Sequence, residues 1–189
     1  MTEEEWRKKL YAKGIFLITD INFKIIDELA RWILSNRPQK NKFTILINSS
    51  GGSPAAVIGF ASFLCTLEEN VEITGVVFNV CGSAALALLQ CCHTRIAVKH
   101  CTFFVHHIHT KEELNCRKTD LKKIKITLAT SYEVEEEIVE IQCKRIGMTK
   151  KQWMALADDG EHNTDRPIFT KRALKLGLVD KIVSHFSCF

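Results

Sequence analysis

The chain of 189 residues carries 26 Lys and Arg against 22 Asp and Glu, a net charge of +4, and is 46% hydrophobic. With 9 Gly and 3 Pro, this is ordinary globular composition, which excludes a disordered tail, a collagen-like repeat and a low-complexity segment. The charge is too small for a nucleic-acid partner and shows no basic stripe interleaved with aromatics; the length suits one domain over residues 1–189.

The N-terminus, Met1-Thr-Glu-Glu-Glu, is acidic and lacks an apolar signal core, so the expectation is no secretion and a cytoplasmic location. Gly14-Ile-Phe-Leu-Ile-Thr19 reads as a first strand. Ile25, Ile26, Leu29, Ile33 and Leu34 recur at helical spacing, which predicts a helix over Asn22 to Ser35 with one buried face. Arg37 to Asn41 is a polar loop. Phe43-Thr-Ile-Leu-Ile-Asn48 is a near-continuous apolar strand of the kind buried on both faces. Ser49-Ser-Gly-Gly-Ser53 is a turn, after which Pro54 suits the first position of a helix capped by Ser53.

The same unit then repeats. Val71 to Asn79 is a strand, Cys81-Gly82 a turn, and Ser83 to Cys92 an apolar helix. This stretch is the one place to test for a membrane span, but Asn79, Gly82, Ser83, Gln90 and His93 interrupt it, and no membrane contact is expected. Arg95 to Val98 and Thr102 to Val105 are two further strands. Arg117 to Arg145 is a long helix, basic then acidic, whose glutamates read as a solvated face. Gly147 suits its C-cap, Thr149-x-x-Gln152 opens a further helix with a capping box, and Leu178 to Val183 closes as a last strand. Alternating strands and helices of this kind predict an α/β domain with a largely parallel sheet.

Eight cysteines at 65, 81, 91, 92, 101, 116, 143 and 188 contain no C-x-x-C pair. They read as reduced, buried small apolar residues in preference to a zinc site built from Cys91, Cys92, His93, His100 and Cys101, so no metal or other cofactor is expected.

In open α/β sheets, sites lie off the carboxyl ends of the strands. Three elements fall there. The Ser49-to-Ser53 turn contains Gly51 and Gly52, whose bare amides can approach a ligand. Ser83 sits at a strand-to-helix turn, where either an N-cap or a nucleophile fits. His106 follows an apolar strand, where a general base beside a serine fits as well as a surface residue does. For a carboxylate to orient the imidazole, spacing leaves Asp158, Asp159, Asp165 and Asp180 open.

Taken in order, Gly14-Ile-Phe-Leu-Ile-Thr19, Ile47-Asn-Ser-Ser-Gly-Gly-Ser53, Thr102-Phe-Phe-Val-His106, Thr164-Asp-Arg166 and Ala173-Leu-Lys-Leu-Gly-Leu-Val-Asp180 resemble the ClpP-like serine proteases over roughly residues 14–184. The resemblance implies a ClpP/crotonase-like fold of repeated ββα units with a handle helix near residues 117–146. It also implies a Ser-His-Asp triad, and a chamber of heptameric, possibly stacked, rings of this chain that cuts peptides or unfolded proteins. The family turn Gly-x-Ala-x-Ser, matched on Gly82, puts the nucleophile position at Leu86. Counting from the other side, Arg95 follows Ser83 by 12 positions and His106 follows Arg95 by 11, intervals that match one branch of the family with no gap. That register assigns Ser83 as nucleophile and His106 as base. Asp165, which precedes Gly177 by 12 positions, matches the acid. Gly52 and Ala84 match the oxyanion-hole positions.

The resemblance further implies an ATP-driven AAA+ unfoldase as partner. Only 13 residues precede the first strand, which departs from the family's long axial loop, and a self-standing oligomeric peptidase fits equally. Two alternatives remain: the Leu86 register makes the chain an inactive ring-building subunit, and the resemblance also admits a crotonase-type acyl-CoA enzyme, a fold that likewise uses two backbone N–H groups as its oxyanion hole.

Overall fold

In a computed structural model, residues 2–107, 118–158 and 167–186 are described. Seven strands form one sheet in the order β1-β2-β3-β4-β7, with β5 paired to β3 and β6. Their ranges are β1 Ile15–Ile18, β2 Lys42–Ser49, β3 Glu72–Gly82, β4 Thr94–Val98, β5 Thr102–Phe104, β6 Ile168–Phe169 and β7 Lys181–Val183. All pairings are parallel except β5 with β6. The described helices are α1 Glu3–Ala12, α2 Phe23–Asn36, α3 Pro54–Leu64, α4 Ala84–Gln90, α5 Lys118–Ile146, α6 Lys150–Ala157 and α7 Thr170–Lys175. The fold is mixed α/β.

Both faces of the sheet are covered, as the apolar runs of β1 and β2 require. Phe16, Ile18, Phe43, Ile45 and Ile47 point into the larger core beneath α2 to α6. Their strand neighbours Ile15, Leu17 and Leu46 face the other way, onto Leu10 of α1. Helix starts follow local chemistry. Asn22 accepts from the Ile25 amide at 2.9 Å, and Ser53 accepts from Ala56 just ahead of Pro54, so each satisfies an amide with no intrahelical acceptor. Thr149 and Gln152 form the capping box of α6.

Cys81-Gly82 is not a turn. Both residues belong to β3, which changes partner along its length: Thr74 to Val77 pair with β4, whereas Val80 to Gly82 pair with Thr102 to Phe104 of β5. A register shift between Ile47 and Ser49 accompanies the change. The swerve carries the end of β3 to the strand that leads into His106.

Arg95 of β4 is 4% exposed, and it closes the sheet against the C-terminal segment. Its guanidinium reaches Asp180 at 2.5 Å, the Gly177 carbonyl at 2.8 Å and the Gln90 side chain. Burial alone would raise the Asp180 carboxyl, but the hydrogen bonds and charge of Arg95, helped by Arg145, outweigh it and hold the pKa below the ordinary value. A depressed acid stabilises the folded chain above its unfolded pKa and loses that contribution as pH falls through the folded value. Melting temperature is therefore expected to drop as the pH falls below roughly 4. Arg95→Met strands Asp180 and Gln90. It is expected to cost roughly 3 kcal/mol, at the low end for a broken buried pair because the Asp180 side chain is 36% exposed. Thermal melts should register this as about 6–12 °C, with a flatter acid limb.

Candidate functional site

Ser83 ends β3 and opens α4. Its amide donates to the Phe104 carbonyl at 3.1 Å, extending the β3–β5 ladder by one rung. Its backbone sits at φ 51°, ψ −125°, a left-handed corner that a residue with a β-carbon occupies at a cost of about 1–3 kcal/mol. An N-cap serine would bond the first helical amides, but the Ser83 side chain makes no such bond. A strained strand-to-helix turn that exposes a hydroxyl is the geometry of a nucleophile elbow. Leu86, by contrast, is 1% exposed and packs inside α4.

The Gly51-Gly52 turn lies directly against this serine. A β-carbon on Gly51 would stand 2.7 Å from Ser83 Cβ, and one on Gly52 would stand 2.1 Å from the Ile21 carbonyl oxygen. Both glycines adopt φ above +130°, so neither position admits a side chain. Ile21 bonds the turn on either side of Gly52, donating to Gly51 O at 3.1 Å and accepting from Ser53 N at 2.7 Å. The Gly52 amide takes no part in that bridge. The Ala84 amide is the first of α4, and such amides have no intrahelical acceptor.

His106 stands two residues beyond β5, half-buried, and lines one small cavity with Ser83, Ala84 and Leu86. Its Nδ1 donates to the His107 carbonyl at 2.6 Å. A carbonyl can only accept, so Nδ1 carries a proton, which in the neutral ring leaves the lone pair on Nε2, the tautomer a general base needs. His107 is itself tied to α5: its Nδ1 meets Glu135 Oε1 at 2.9 Å, and its Nε2 approaches Asp158 at 3.9 Å. Glu135, expected on a solvated face, is thus half-buried against His107.

The four candidate acids separate. Asp180 is committed to Arg95, and Asp158 approaches His107 and is otherwise exposed. Asp159 and Asp165 lie outside the described residues.

The family model described as Clp protease matches residues 2–186, nearly the whole chain. The chain belongs to the Clp protease family. Among curated proteins, no match is found.

In this Clp protease chain Cys81, Cys91, Cys92 and Cys101 pack as small apolar residues. The thiols of Cys91, Cys92 and Cys101 donate to the carbonyls of Ala87, Leu88 and Val77, and all three are free. Burial pushes Cys91 to about 12 and Cys101 to about 11. Cys81, two residues before Ser83, is fully buried and also raised well above the usual thiol value, which leaves little of the thiolate that oxidants attack. Among the described residues no three His, Cys, Asp or Glu side chains gather as a metal site, and no helix is long and apolar enough to cross a membrane.

Sequence reasoning missed Gln142 of α5, which is buried and lines the same cavity. The signal was there: Gln142 stands one turn beyond the buried Ile138, a polar residue in an apolar stripe.

Proposed function

We propose that this chain is a serine endopeptidase of the Clp type, with Ser83 as nucleophile, His106 as general base, Asp165 as acid, and the Gly52 and Ala84 amides as oxyanion hole. The observation that carries the reading is the uncapped Ser83 hydroxyl, held at positive φ beside the same cavity as His106. Ser83 Oγ attacks a peptide carbonyl carbon while His106 Nε2 takes its proton. The carbonyl oxygen becomes an oxyanion held by the two amides, a contribution of about 3–4 kcal/mol per donor. His106 then gives the proton to the leaving amine, the C–N bond breaks, and an acyl-serine remains. Water, deprotonated by His106, releases the acid product and restores Ser83. Asp165 is assigned the role of stabilising the imidazolium that forms, while the His107 carbonyl accepts from Nδ1. The burial of Leu86 supports the Ser83 register over the one that makes the chain an inactive subunit.

Substrates are peptides or unfolded segments, cut inside a ring assembly of this chain. The handle reading of α5 is supported by its division into two halves. Ile138 and Val139 in the second half are buried, while Ile126, Leu128 and Tyr132 in the first half stand exposed and are available for contact between rings. Engagement of an AAA+ ATPase is a separate question that assembly assays with and without such a partner answer.

A fluorophosphonate probe tests the mechanism. The expected result is a single adduct on Ser83, located by peptide mass spectrometry and abolished by His106→Ala. A folded, assembled protein that takes up no probe would overturn the reading in favour of the inactive ring subunit.

A further inference from the structure

The β3–β5 ladder brings Ser83 and His106 together, but its last rung is the Ser83 amide on the Phe104 carbonyl, two residues short of the imidazole. Val105 is buried and holds the chain at that point. Past it, the His106 ring leans on the carbonyl of His107, which accepts from Nδ1 at 2.6 Å. A carbonyl aims a ring only if it is itself fixed, and among the described residues no hydrogen bond between main-chain atoms fixes His107. Its side chain is what is tied down. His107 Nδ1 lies 2.9 Å from Glu135 Oε1 of α5, and the His107 and Glu135 side chains are only 31% and 19% exposed, so solvent screens the contact less than it would a surface pair. An ionised carboxylate only accepts, so His107 Nδ1 is the donor. Across the same ring, Nε2 approaches Asp158 at the end of α6 at 3.9 Å. The next residue of α5, Glu136, pairs with Lys150 at the start of α6. The carboxylate that meets His107 therefore stands on a helix braced against its neighbour.

We infer that Glu135 and His107 are positioning residues for His106: the carboxylate anchors the His107 ring, the anchored residue fixes its own carbonyl, and that carbonyl holds the His106 ring with Nε2 turned to the Ser83 hydroxyl. The inference rests on the peptidase reading above and adds to it a side-chain anchor on α5 that touches neither substrate nor Ser83. What the anchor requires is a donor on residue 107 and an acceptor on residue 135, rather than a charge. A base displaced by about 1 Å loses up to roughly 100-fold in rate.

The test compares truncation with shape-preserving replacement at both ends of the anchor. A tetrapeptide aminomethylcoumarin gives kcat and KM, and a fluorophosphonate reads the reactivity of Ser83 directly. Glu135→Ala should lower kcat and the labelling rate at Ser83 together by roughly 10–100-fold, with KM within about twofold of wild type. Glu135→Gln keeps an oxygen acceptor in place and should recover most of that loss. His107→Asn, whose amide nitrogen is as many bonds from Cα as Nδ1 is, should recover it likewise, whereas His107→Leu should be as slow as Glu135→Ala. Glu133→Ala removes the same charge from an exposed position of α5 and should behave as wild type. Melting temperatures should stay within about 4 °C of wild type, since a half-exposed pair contributes little to stability. Wild-type rates in Glu135→Ala and His107→Leu overturn the inference. So does Glu135→Gln as slow as Glu135→Ala, which would make the charge the thing that matters. Should Glu135→Ala fail to assemble, the His107 pair decides, and equal rates for Asn and Leu overturn it. A wild type that takes no fluorophosphonate at Ser83 overturns the peptidase reading and this inference together; labelling at Ser83 that Glu135→Ala leaves unchanged overturns this inference alone.

Discussion

Ser83→Ala should lower kcat for peptide hydrolysis by roughly 10⁴-fold or more while leaving the fold intact. The hydroxyl is the group lost, and its side chain caps nothing in α4, so no helix stabilisation goes with it. Alanine keeps the β-carbon and hence the strain at φ 51°. Ser83→Gly removes both. The glycine variant should therefore be inactive yet more stable than wild type by about 1 kcal/mol, or roughly 2–4 °C. A gain in stability on deleting a functional group is the mark of a site held under tension for its chemistry. Parallel kinetics and thermal melts of the two variants decide the matter. Residual activity in Ser83→Ala within tenfold of wild type would remove Ser83 as the nucleophile, and a glycine variant no more stable than the alanine one would mean that the turn is relaxed.

Gly52→Ala should damage both catalysis and stability. The new β-carbon would stand 2.1 Å from the Ile21 carbonyl oxygen and 2.9 Å from its carbon, both backbone atoms that cannot rotate away. The bridge between Ile21 and Gly52 must open, turning the Gly52 amide off its line. Loss of one oxyanion donor lowers kcat by roughly 10²–10³-fold. Gly59→Ala is the control: Gly59 lies in α3, with nothing within 4 Å of the added carbon, and should gain about 0.5–1 kcal/mol with unchanged kcat. If Gly52→Ala turns over substrate as fast as Gly59→Ala, the Gly52 amide is not in the oxyanion hole.

The elements legible in the sequence were those whose signal is local. Ser53 caps α3 ahead of Pro54 and Thr149 opens α6 through its capping box with Gln152, as their local patterns predict, and the apolar run Phe43 to Asn48 lies within β2. Helix α1 escaped notice because Leu10 alone is fully buried among its described side chains, amid charged neighbours. Strand β6 has two residues and exists through its pairing with β5, so no periodicity could announce it. The error at Cys81-Gly82 has the same root. A glycine before a helix reads as a turn, whereas here it extends β3 because β5 arrives to pair with it. Ser83 and His106 were legible because a turn and a strand end mark them. Gln142, the His107–Glu135 pair and the Arg95–Asp180 clasp were not, since each joins residues 28 or more positions apart or matters through a cavity that only packing creates.

The change of partner along β3 has a consequence for how such a site can be altered over time. Gly82 faces Phe104 in the ladder and Ser83 bonds the Phe104 carbonyl, so the approach of serine to histidine is specified by main-chain atoms that every amino acid except proline supplies. The walls around them, Leu86, Ile138 and Gln142, are side chains. Alignment and selectivity are thus stored in different parts of the polymer. On the peptidase reading proposed above, substitutions that redraw the pocket leave Ser83 and His106 in register, and a lineage can explore new substrates without first surrendering the old chemistry.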